Sequence, residues 1–203
     1  MGQSARQIGE VPNRFDRRRE KTRLDLIQAA ERVISSKGYH QTRIADIATE
    51  ADVGLGTFYL HFKTKNEIFI ELIEHGAAEL RAKLAEAKAG LQTPADKLKI
   101  TIDTILDAAA EAPELFRIVF GHGPAFLDLM VRVHRIFIDD LRGDLAPAVG
   151  ERADAIAQLT IGLLSQAISW RLDGSNLSHE DLKSITVNFA LGGLERAARL
   201  GAI

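Results

Sequence analysis

Residues 42–62, TRIADIATEADVGLGTFYLHF, constrain the fold more than any other stretch of the chain. Ile44, Ile47 and Ala48 fall on one face of a short helix over about 43–50, and the Thr42 hydroxyl is placed to cap it. Ala51-Asp52-Val53 reads as the turn that follows, with Asp52 at the position that needs a positive φ. Gly54 serves as N-cap of a third helix over about 55–62, anchored by Phe58 and Phe62 four residues apart. Leu55, Thr57, Tyr59, Leu60 and His61 are left on the outside. A face carrying a hydroxyl, a phenol and an imidazole suits contact with nucleic acid. The rest of the chain reads as a device that presents this segment and decides when it works.

The charge distribution agrees. Residues 1–66 carry 12 Lys and Arg against 8 Asp and Glu, while the remainder carries 14 against 20. A basic N-terminal part on an acidic body suits a polyanion bound at one end only, although a solvated basic face would look the same. Residues 1–15 read as a mobile arm from which Arg6 and Arg14 could reach a DNA groove. A first helix is expected over about 16–37, with Leu24, Ile27, Ala30, Val33 and Ile34 inward and Gly38 at its end. Arg17, Arg18 and Arg19 in its first turn oppose the helix dipole, so phosphate contact is a reason for them. Thr64-Lys65-Asn66-Glu67 is a capping box that opens a fourth helix over about 65–89. Gly76 inside it marks either a bend or a close approach.

These motifs give residues 20–66 a specific likeness. Ile47-Ala48, Ala51-Asp52-Val53, Gly56-Thr57-Phe58-Tyr59-Leu60-His61-Phe62 and Lys65 stand in register with the DNA-binding domain of the tetracycline-repressor (TetR) family of bacterial transcription regulators, which this segment resembles. Asp52 stands where that family usually has Gly, and Gly54 where it has Ser or Thr. The resemblance implies phosphate contacts from Thr42, Arg43, Tyr59, His61 and Lys65. It implies that Gly54 opens the reading helix and that Leu55, Gly56, Thr57 and Leu60 lie along the major groove. Leu55 or Leu60 would meet a thymine methyl there.

Beyond residue 94 no motif guides the reading. Helices are expected over about 94–111, 113–121, 124–142, 151–173 and 179–200, opened by Thr93-Pro94, Pro113 and Ser178 and separated by the Gly121–Pro124 break, the Pro147–Gly150 turn and Gly174. The last two are apolar around much of their circumference and must be buried on two sides. A second copy of the pair would complete a four-helix bundle about a two-fold axis. The expected fold is therefore all-α, with about nine helices. A 1–15 arm precedes a 16–66 helix-turn-helix domain, and the resemblance implies that 67–203 form a ligand-binding and dimerisation domain.

Phe116, Phe120, Phe126, Met130, Phe137 and Trp170, with His122 and His134 as polar members, are the candidates for a ligand pocket, because the resemblance implies one among these helices. Individually each reads first as an ordinary core residue. Their composition suggests a mostly apolar effector. The chain has no cysteine, no metal-ligand spacing and no nucleophile-elbow, P-loop or dinucleotide fingerprint, so we expect neither enzyme activity nor a metal or cofactor. There is no apolar N-terminal run and no membrane-length apolar stretch, and a cytoplasmic protein is expected. The function these features imply is a homodimeric, ligand-responsive repressor on a roughly palindromic operator. A TetR-like activator, or a helical interaction module that no longer reads DNA, stays open.

Overall fold

The computed structural model describes residues 13–120 and 126–199, with backbone alone at 118–120. Residues 1–12 and 121–125, and with them most of the expected 1–15 arm and the whole Gly121–Pro124 break, lie outside the described residues; Arg14 and Phe15, expected in the arm, already belong to α1. Nine α-helices run through the rest: α1 (Arg14–Gln41), α2 (Ile44–Glu50), α3 (Leu55–His61), α4 (Lys65–Ala87), α5 (Pro94–Glu111), α6 (Pro113–Phe120), α7 (Leu127–Val149), α8 (Ala153–Leu172) and α9 (His179–Arg199). No described helix is long and apolar enough to cross a membrane.

Local chemistry sets most boundaries. Asn13 caps α1 by accepting from the Phe15 and Asp16 amides, and Asp16 accepts in return from the Asn13 amide. Gly38 interrupts α1 at φ 76°, and one further turn follows to Gln41. Asp52 takes φ 53° in the α2–α3 turn. Thr64, Thr93 and Ser178 each accept from the amide three residues on and start α4, α5 and α9.

Two expectations need correction. Thr42 does not cap α2. Its hydroxyl donates to the Gly38 carbonyl at 2.8 Å, which closes the irregular end of α1. Arg43 is the N-cap residue instead, and its amide donates to Asp46 at 2.9 Å. The helix expected to stop near 142 runs on to Val149, with Pro147 inside it rather than in the turn. Proline removes one backbone hydrogen bond there. Leu141, Leu145 and Val149 are buried along the same side, and that burial favours continuing the helix. The chain turns at Gly150, where φ is 57°.

One apolar core runs from Leu26 in α1 to Leu194 in α9, joining the first three helices to the body. Tyr39, Phe69 and Phe126 stack at the junction with ring centroids 4.7–5.3 Å apart. The α4 helix is shared by both parts. Farther along, charge pairs tie it to α7: Arg81 grips Asp140 with two hydrogen bonds of 2.5 and 2.7 Å, Lys88 meets Asp144 at 2.7 Å, and Arg132 meets Glu74 at 2.9 Å. Gly76 makes no close approach, since a Cβ there would meet open space.

Candidate nucleic-acid interface and internal cavity

Burying Phe58 and Phe62 completely forces the rest of α3 outward. Leu55, Tyr59 and Leu60 are 48%, 55% and 73% exposed, while Thr57 and His61 are half-buried. Around Gly54 and Gly56 there is open space, so backbone or DNA can approach closely. Large apolar side chains left in water on so small a helix are a surface awaiting a partner. Burial and the nearby Arg19 and Arg23 guanidinium groups lower the His61 pKa, which keeps its ring a neutral hydrogen-bonding group at pH 7. The same effect puts the basic start of α1 beside the end of α3.

Arg43 is exposed and sits with Lys37, His40 and Gln41 around a shallow polar hollow where α1 meets α2. Lys37 and His40 extend the basic surface beyond the sequence-based set. Their signal, a lysine and a histidine in the last turns of the first helix, is legible only once that helix end is known to adjoin α2. Thr42 is not on this surface. It is 2% exposed, and its hydroxyl is committed to Gly38.

Lys65 has a structural duty. Its ammonium donates to the Tyr39 carbonyl at 2.9 Å and the Thr42 carbonyl at 3.0 Å, and lies 4.3 Å from the Tyr39 ring centroid. Two of its three N–H groups are thus spent closing α1 on α4. The third makes no hydrogen bond among the described residues. Lys65→Ala is therefore expected to lower stability by about 1.5–3 kcal/mol, the usual worth of hydrogen bonds to a charged group. Urea unfolding checks this. Wild-type stability with weakened DNA binding would make Lys65 a phosphate contact alone.

A cavity of about 280 Å³ lies in the body between α4, α5, α6, α7 and α8. Its walls include Leu72 and Ile73 of α4, Ile105 of α5, Phe116 of α6, Phe137 of α7 and Leu164 of α8. His134 and Ser165 put a polar pair in this apolar wall, 3.3 Å apart. The Ser165 hydroxyl donates to the Ile161 carbonyl at 2.8 Å, so its oxygen accepts from the His134 ring. Burial lowers the His134 pKa and leaves the imidazole neutral.

Of the sequence-expected pocket residues, Phe116, His134 and Phe137 line the cavity. Phe126 does not, because its ring is packed on Tyr39 and Phe69. Met130 lies a helical turn before the wall residues Val133 and His134, outside the lining. Trp170 is 49% exposed and points away, since α8 turns Ile161, Leu164 and Ser165 toward the cavity and position 170 falls on its opposite side. His122 and the Phe120 side chain lie outside the described residues. The α4 contribution was missed because Leu72, Ile73 and Leu80 have the spacing of any buried stripe.

Residues 26–72 match the family model described as bacterial regulatory proteins, tetR family. Among curated proteins, the chain is similar to an uncharacterized HTH-type transcriptional regulator of Haemophilus influenzae, 25% identical over 128 residues, 61% of this chain and 62% of that protein. It is also similar to the fatty acid metabolism regulator protein of Bacillus subtilis, 35% identical over 79 residues, 39% of this chain and 41% of that one. The matched stretches thus span about three fifths and two fifths of these relatives. Among solved structures, the fatty acid degradation regulator FadR from Bacillus halodurans superposes with a TM-score of 0.73 at 22% identity, over 85% of this chain and 96% of that one. FadR from Bacillus subtilis in complex with stearoyl-CoA gives 0.72 at 21%, over 84% and 98%. At these identities the likeness is one of fold.

Proposed function

We propose that this chain, whose residues 26–72 match the TetR family model, is a sequence-specific, homodimeric repressor of that family, released from a palindromic operator when a mostly apolar small molecule fills its cavity. The observation that carries this reading is α3 itself: the fully buried Phe58 and Phe62 hold Leu55, Tyr59 and Leu60 out, exposed among the described residues. Arg43, Tyr59 and the third Lys65 N–H clamp phosphates, and His61 adds a neutral donor. Leu55 and Leu60 read thymine methyls in the major groove beside Gly54, Gly56 and Thr57.

Dimerisation uses the outer faces of α8 and α9. Leu159 and Trp170 on α8, and Ile185 and Phe189 on α9, are exposed, and Gly162, Gly192 and Gly193 leave room for close approach. A two-fold pairing through these helices sets the two reading helices about 34–36 Å apart, or slightly more. Coupling runs through α4, which begins at the DNA-reading head and supplies Leu72, Ile73, Gly76 and Leu80 to the cavity wall. A ligand that favours one α4 position shifts the heads only by its differential affinity for the two states, typically 1–3 kcal/mol.

A gel shift against the DNA upstream of its own gene tests the reading; absence of a sequence-specific complex at moderate salt sinks it. Tyr59→Phe is expected to weaken binding to all sequences alike, and Arg43→Ala also to flatten its salt dependence by about one phosphate contact. A changed sequence preference without weaker binding would make these base-reading residues.

A further inference from the structure

The cavity has a charged rim. Four charged residues stand in its lining: Glu31 of α1, Glu79 and Lys83 of α4, and Glu111 at the end of α5. Three are carboxylates, and they come from three different helices. Among the described residues neither Glu31 nor Glu111 forms an ion pair, and Glu79 meets only His75, at 3.4 Å. Deeper in, His134 is neutral, so no cation offsets the carboxylates from inside. The cavity has a volume of about 280 Å³ and is open to solvent on this side, since Glu31, Gly76, Glu79, Lys83 and Glu111 of its lining are exposed. The phosphates of an acyl-coenzyme A would face three carboxylates against one ammonium at this rim.

We infer that the effector of this site is an amphiphilic cation, an apolar body with an amine or quaternary ammonium group at the rim where Glu31, Glu79 and Glu111 stand. This rests on the reading of the cavity as the effector site. The body fills the wall formed by Leu72, Ile105, Phe137 and Leu164, and the head meets the carboxylates where water still reaches it. Exposed charge pairs are individually weak, so the rim acts as a filter on charge while burial of the chain supplies the affinity.

Titration calorimetry with a matched set of probes tests it: octyltrimethylammonium, 1-octanol, octanoate and octanoyl-coenzyme A, each below its aggregation threshold. The cation is expected to bind about tenfold more tightly than octanol, and more tightly still than the two anions. That preference should shrink at high salt. Glu31→Gln with Glu111→Gln should bring the cation to the level of octanol and leave octanol unchanged. Gly76→Leu places a side chain in the open space at the cavity wall on a helix that tolerates it, and should abolish binding of all four probes. Octanol or an anion binding most tightly would overturn the cationic effector and leave the cavity reading standing. No probe binding, or the cation binding Gly76→Leu as well as wild type, would overturn the cavity reading itself.

Discussion

Phe189→Glu is expected to convert the protein to a monomer and to weaken operator binding by about 10²–10⁴-fold. Phe189 is 73% exposed within one chain, so the substitution removes nothing from its own core. What it changes is the outer face of α9, where a carboxylate would be driven into the apolar seam of a four-helix bundle and left without a partner. The loss of DNA binding follows from tethering. Once one head is seated, the second meets its half-site at a high effective concentration, and a monomer forfeits that gain. Mass in solution and gel shift are read together. A dimer of unchanged mass moves the interface off α8 and α9, and full operator affinity in a monomer would remove the need for the dimer. Ile185→Glu, 55% exposed on the same helix face, should behave alike.

Phe58→Ala should act on the other end of the molecule. Its ring is completely buried, 5.8 Å from Phe62 and 5.6 Å from Tyr59 between centroids. Truncating a buried phenylalanine costs about 3–5 kcal/mol. The three-helix head is small, and natural domains hold only about 5–15 kcal/mol in total. We expect the head to lose its fixed structure and its DNA binding while the α8 and α9 contacts keep the dimer. Circular dichroism in denaturant, gel shift and mass separate these effects. Unchanged stability would mean that Phe58 does not anchor α3.

Much of the head is legible in one dimension. Phe58 and Phe62 four apart, Asp52 at the tight turn and Gly54 before α3 are local signals, and each restricts φ and ψ or a helix face within a few residues. Thr42 and Lys65 show where such reading fails. Both carry polar groups at a helix start, where a cap or a phosphate contact is the natural expectation. The irregular end of α1 supplies closer partners instead, the Gly38 carbonyl for Thr42 and the Tyr39 and Thr42 carbonyls for Lys65. Pro147 is a second case. Its helix-breaking tendency is a local quantity, and it is outweighed by the buried row Leu141, Leu145 and Val149.

By itself the chain of residues determined the all-helical class, the order of the helices and the outward face of the reading helix, because periodicity, caps and turn residues act over one or two helical turns. Only the tertiary structure decided which apolar residues are core, cavity or open surface. Phe126, Phe137 and Trp170 are equally apolar and equally helical in context, yet one packs at the head–body junction, one lines the cavity and one stands at the surface. Burial depends on which helices cross, and the helices that meet around the cavity are separated by many residues in sequence. The charged part of the lining is set in the same way, since Glu31, Glu79 and Glu111 belong to three helices and border one cavity only when those helices pack.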